Sequence, residues 1–282
     1  MQTEAESIKT VITSYLFKYL EEFRVNLEHA ISDYDPEAIH QYRVSVKRIR
    51  AVVRALDRVY EEPLFPEDFI MPLRDMFKAG GTIRDDQVQI GLVKHAEKQY
   101  GQSFPLIKNF YKKRIDDQRN AFFNHSVDFD FELLKELSGK IEEILEPLDE
   151  EYLELNLYNR LHKAMEKLKI KRYDLDQPEA LHKFRTRFKE NGYVAEMFYQ
   201  SKYSHKISKA TYSRMKKFGL ELGNWHDHYQ LWSKTAFIFH ESRNMDLLSE
   251  AFEMRKLIMP VHDKLFQEIL HLIKRDDSLF MI

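Results

Sequence analysis

The sequence predicts an all-α protein: a tandem repeat of two antiparallel helical bundles related by pseudo-twofold symmetry. Three observations lead there. Gly and Pro number only 8 each in 282 residues, too few to punctuate many short strands. Apolar residues recur at three- and four-residue spacing, and no stretch alternates with period two between turn signals. One phrase also occurs twice, as DPEAIHQYRVSVK (Asp35 to Lys47) and QPEALHKFRTRFK (Gln177 to Lys189), at an offset of 142 residues.

The same offset carries Arg43 to Arg185, Lys47 to Lys189, Arg74 to Lys216 and Lys18 to Arg160. It also carries Gly81-Thr-Ile-Arg84-Asp85 onto Gly223-Asn-Trp-His226-Asp227. An ungapped register held that far marks a duplication, with residues 1–142 as a first helical repeat and 143–282 as a second, together one module. Helices are expected near 5–31, 36–60, 67–80, 83–99, 105–124 and 130–144 in the first half. In the second they are expected near 147–171, 178–199, 203–222, 226–242 and 246–274. Pro36 and Pro178 sit where a first-turn proline belongs, and Asp35 is the expected N-cap of its helix. Gly80-Gly81 and Gly223 are the expected helix stops. Asp85 and Asp227 would then open the following helices and cap them.

At 43% hydrophobic residues the chain can fill a core, and with no cysteine it has neither disulfides nor cysteine-based metal or nucleophile chemistry. No apolar run reaches membrane-span length and the start MQTEAESIKT is polar, so no membrane association and a cytoplasmic address are expected. The net charge of −2 means that the position of the charge is informative, not its total.

On the helix after Pro36, His40, Arg43, Lys47, Arg50, Arg54 and Arg58 fall within roughly 80° of one another at helical pitch. Ile39, Tyr42, Val46, Ile49, Val53, Leu56 and Tyr60 take the other side. Like charges three and four residues apart repel, and a helix that needed only solubility would interleave acids. His182, Arg185 and Lys189 repeat the first three positions, and Lys202, Lys206, Lys209 and Lys216 follow at helical spacing, so a solvated face is the weaker explanation. Arg offers phosphate oxygens a planar fork, Lys a mobile point charge, and His one or two donors and a charge that grows near an anion. The stripes, with Arg74 beside them, therefore suit a phosphate chain.

These residues resemble the CHAD family, the conserved histidine α-helical domain. The phrases that carry the likeness are HQYRVSVKRIR (His40 to Arg50), GGTIRDDQV (Gly80 to Val88), LHKFRTRFK (Leu181 to Lys189) and LGNWHD (Leu222 to Asp227). The resemblance implies two helical bundles around a basic central channel, binding of inorganic polyphosphate, and association with polyphosphate granules. Carried over by position, it implies phosphate contacts from His40, Arg43, Lys47 and Arg50, and from His182, Arg185 and Lys189. The chain departs from the family pattern at Gly192 and Glu196, which replace the cations of the first repeat (Arg50 and Arg54), and His226 replaces Arg84.

A binding protein without catalysis, cofactor or metal is thus expected, with sulfate or phosphate able to occupy the same site, and with affinity rising as pH falls through the histidine range. Two rivals remain. Nucleic-acid binding would use the same stripes, although base readout calls for Asn, Gln or exposed aromatics among the cations and the first stripe has none. A metal-dependent phosphohydrolase of the HD type would use His226 and Asp227, but the repeat partner of His226 is Arg84, which is no metal ligand.

Overall fold

A computed structural model describes residues 7–201 and 206–282. Among the described residues there are ten α-helices, a short closing 3-10 turn (Asp277–Phe280) and no strand. The first six helices are α1 (Ile8–Asp33), α2 (Pro36–Tyr60), α3 (Glu67–Ala79), α4 (Gly81–Tyr100), α5 (Pro105–Ser126) and α6 (Glu132–Leu145). The last four are α7 (Glu150–Lys171), α8 (Pro178–Tyr199), α9 (Lys209–Glu241) and α10 (Met245–Arg275). The all-α expectation holds, and no helix among the described residues is long and apolar enough to cross a membrane.

Local chemistry explains where the helices begin. The Asp35 carboxylate accepts from the Glu37 and Ala38 amides at 3.2 and 3.1 Å, and Pro36 occupies the first turn, where its missing N–H costs nothing. Ser7, Asp149 and Ser208 cap α1, α7 and α9 in the same way. Helices α1, α2 and α3 start at residues 8, 36 and 67, and α7, α8 and α9 start at 150, 178 and 209, the register of the sequence repeat.

The two halves differ at one glycine step. In the first, α3 ends at Ala79 and α4 begins at Gly81, whereas α9 runs unbroken for 33 residues through Gly223. The expected stop at Gly223 and restart near 226 are therefore corrected, and Asp227 lies mid-helix, where it caps nothing. Asp85 is likewise inside α4, which has no side-chain cap. The residue that ends α3 sits where only glycine fits. A Cβ at Gly80 would lie 1.6 Å from the Tyr42 hydroxyl, which donates to the Met76 carbonyl at 3.3 Å. At the offset of 142 the counterpart of Gly80 is Leu222, which is buried in the core, and Phe184, which has no hydroxyl, stands at the equivalent of Tyr42.

Hydrophobic packing crosses the repeat boundary. The larger cluster joins Phe23, Tyr42 and Ile49 to Leu161, Phe184, Phe188 and Trp225. The smaller joins Val93, Ile107 and Tyr111 to Leu231, Ile238 and Met254. Both draw on residues from either side of 142, so neither is confined to one repeat. Each fully buried large side chain contributes on the order of 2 kcal/mol.

Gly80→Ala is expected to destabilise the fold by about 1–3 kcal/mol, the cost of overpacking, because Tyr42 is fully buried and cannot swing aside. Gly223→Ala should instead be neutral or stabilise by up to about 1 kcal/mol, the helix propensity gain. Chemical denaturation of both variants checks this; equal losses would refute the account.

Candidate functional site

Helices α2 and α8 pack against each other, and an ion pair on a buried carboxylate joins them. The Arg48 guanidinium donates to both carboxylate oxygens of Glu196, at 3.1 and 3.3 Å. The Tyr15 hydroxyl donates to the same carboxylate at 3.3 Å, and the Arg48 guanidinium lies over the rings of Tyr19 (4.7 Å) and Tyr193 (5.2 Å). Glu196 is 8% exposed. Its departure from the repeat pattern is therefore not a gap in a basic surface: the carboxylate faces the helix interface and joins the halves.

With the helices so held, their basic stripes converge. Lys47 of α2 feels Lys189 and Arg185 of α8, together with Arg43 on its own helix. His40 feels Arg84 of α4, and Lys189 across the gap. His226 of α9 feels Arg185, His182, Lys189 and Lys47. Burial first, and these neighbouring cations second, push the Lys47 and Lys189 ammoniums down to about 8. The same causes push His40 down to about 4 and His226 to about 3, and they lower His182 as well. Lys47 is nonetheless exposed to solvent.

Counter-charge here is sparse. Asp227, half-buried among Arg185, Lys189 and Arg84, has its pKa raised by burial and drawn back by those cations. Asp85 is exposed and acts on Arg43 and Lys47. The Nε atoms of Arg185 and Arg74 are buried without a hydrogen-bond partner. His182 and His226 approach Nδ1 to Nδ1 at 3.4 Å with ring centroids 4.8 Å apart, so His226 belongs to this group. Its place was legible in the repeat, where its partner Arg84 also acts on His40.

Phe77 of α3 organises the α2 side. Arg43 donates to the Phe77 carbonyl and stacks 4.0 Å above its ring, and the charged ends of Lys47 and Arg50 lie 5.7 and 5.9 Å from the same centroid. Nothing in the sequence separates Phe77 from the core phenylalanines, and its repeat counterpart is Gly219.

The remaining predicted residues divide. Arg50, Arg54 and Arg74 line one cleft, where Arg54 is paired with Glu190 at 2.7 Å. Lys216 lines a cleft with Lys189 and Arg48. Lys206 turns to α7, paired with Glu154 at 2.8 Å and lying over Tyr158, and so does not join Lys189. Lys209 is exposed in the first turn of α9, and Lys202 falls outside the described residues. Among the described residues no group of three or more His, Asp or Glu side chains is arranged to hold a metal ion.

Comparison with known proteins agrees with this architecture. The chain is similar to a solved plant structure, the crystal structure of the CHAD domain from Ricinus communis, with a TM-score of 0.76 at 19% identity over 99% of this chain and 96% of that one. No curated protein sequence matches it. The family model described as the CHAD domain matches residues 14–233, well over half the chain and including α2, α8 and the whole site region of α9. The chain belongs to the CHAD family.

Proposed function

We propose that this protein binds inorganic polyphosphate, without turning it over, in a concavity between the basic stripes of α2 and α8, and that this binding would hold it at polyphosphate granules. One observation carries the reading. Lys47 and Lys189 come from opposite halves, and burial first, then neighbouring cations, lowers the affinity of each for a proton. Two ammonium groups held that way are unfavourable in the free protein and become favourable once an anion lies between them. Arg43, Arg185, His40 and His226 extend the same arrangement over several contacts, which suits a ligand carrying charge on every unit.

Catalysis finds little support. General acid–base work needs a histidine beside a nucleophile or a reacting carboxylate. Three of the four charged groups that act most strongly on His40 are cations, and the fourth is Glu37, a first-turn residue of its own helix.

Competition against labelled long-chain polyphosphate tests the proposal. Unlabelled long-chain polyphosphate should displace the label best, ATP and duplex DNA far less well, and orthophosphate or sulfate only at high concentration. Equal displacement by orthophosphate would reduce the site to a simple anion hole. Tighter binding of DNA would favour the nucleic-acid reading.

A further inference from the structure

A second basic groove lies between α2, α7 and α8, apart from the concavity. It encloses about 240 Å³, with a floor of Ala55, Leu157, Leu161, Ala164 and Leu168. Its rim carries Arg58, Arg160, Lys163, Lys167, Lys171 and Arg187, and Glu190 is its one acidic lining residue. Glu190 is already held by Arg54, and among the described residues only Arg160 of the six cations has an acidic partner, Glu61 at 2.8 Å. Arg58, Lys163, Lys167, Lys171 and Arg187 are exposed and form no ion pair among the described residues. On α7 the cations recur three, four and four residues apart, one continuous stripe along the helix.

This groove is no echo of the duplicated phrase. At the offset of 142, Lys163, Lys167, Lys171 and Arg187 correspond to Glu21, Val25, His29 and Ser45, none of them Lys or Arg, and Ser45 is fully buried. Those four cations are peculiar to the second half; Arg160 keeps the charge of its counterpart Lys18, and Arg58 comes from the first half. The groove also adjoins a first-half cleft: Arg54 lines the cleft with Arg50 and Arg74, and its partner Glu190 lines the groove.

We infer that the α7 groove is a second track for a linear phosphate chain, engaged by chains long enough to leave the concavity over Arg50 and Arg54. The inference rests on the proposed polyphosphate binding. A flexible single chain fits a small groove with unpaired cations spaced along its rim. A duplex would need a broader, two-sided surface, and a specific anion pocket would need buried donors, whereas these cations are exposed. Long chains would then bind more tightly than the concavity alone allows, and with steeper salt dependence.

The test uses the full chain carrying Lys163→Gln, Lys167→Gln, Lys171→Gln and Arg187→Gln, with Lys47→Met plus Lys189→Met as the companion variant. Long-chain polyphosphate and tripolyphosphate are titrated at several salt concentrations. For the groove variant, long-chain affinity should fall roughly tenfold, and the slope of log affinity against log salt should become shallower by ~0.7 for each phosphate that the groove no longer neutralises. Tripolyphosphate binding and the melting temperature should stay as in the wild type. Wild-type affinity and slope for long chains would overturn the second track. The companion variant separates the two readings. If it keeps long-chain binding while the groove variant loses it, the concavity reading fails and the groove stands.

Discussion

Replacing Lys47 and Lys189 together with methionine is expected to weaken long-chain polyphosphate binding by about a hundredfold, and to make the free protein more stable. Charge-assisted hydrogen bonds contribute about 1.5–3 kcal/mol each, so two of them, partly screened in an open concavity, give an effect of that size. Methionine keeps the aliphatic stem and its packing. These lysines are cleaner probes than Arg43, whose guanidinium also stacks on Phe77 and donates to its carbonyl, so that removing it disturbs α3 as well. The stability gain follows from the pKa values near 8. Unfolded lysine titrates near 10.4, so between about pH 8 and 10.4 the unfolded chain holds more protons and stability rises with pH. Below pH 8 both lysines are charged in the fold, and their full cost is present. The wild type should therefore gain stability from pH 7 to pH 10 relative to the double variant, which lacks both groups. Calorimetric titration and melting curves at the two pH values measure both effects. Wild-type affinity in the double variant would show that the stripes only face solvent.

Raising the pH from 7 to 9.5 is expected to weaken wild-type polyphosphate binding on the order of a hundredfold, through the same linkage. In the free protein Lys47 and Lys189 lose their protons near pH 8, whereas a bound phosphate chain restores their ordinary values, so binding in this range takes up as many as two protons. The histidines add the second pH dependence that the sequence leads one to expect. With His40 near 4 and His226 near 3 in the free protein, neither is charged at neutral pH. Each gains a proton only as the bound anion lifts its pKa, so affinity should climb again as the solution is acidified below the ordinary histidine value of about 6.5. Proton uptake is measured by titrating in buffers of different ionisation enthalpy. Binding without proton uptake at pH 8.5 would mean that the phosphates do not reach the two lysines.

The sequence by itself determined the helices and the register of the halves. Asp35 with Pro36 and the apolar period of α2 are local signals, and local signals suffice for a helix whose one face must be buried. The duplicated phrase placed His40, Arg43 and Lys47 against His182, Arg185 and Lys189 as equivalents, and the starts of α1 to α3 and α7 to α9 keep that offset. Only the tertiary structure decided which equivalent positions meet. Lys206 shares the helical spacing of its neighbours but is taken by Glu154 of another helix, and Glu196, read as a missing cation, holds Arg48 at the interface between the halves. Gly223, the counterpart of Gly81, reads as a helix stop and lies inside α9, whereas glycine at position 80 is required by a hydroxyl that belongs to a residue distant in sequence. Phe77 gathers three cations around one ring, although its own helix marks it only as another apolar residue. In each case the deciding contact joins different helices. Helical periodicity shows which face a residue occupies, whereas the charge and space it meets there are set by the packing of the neighbouring helices.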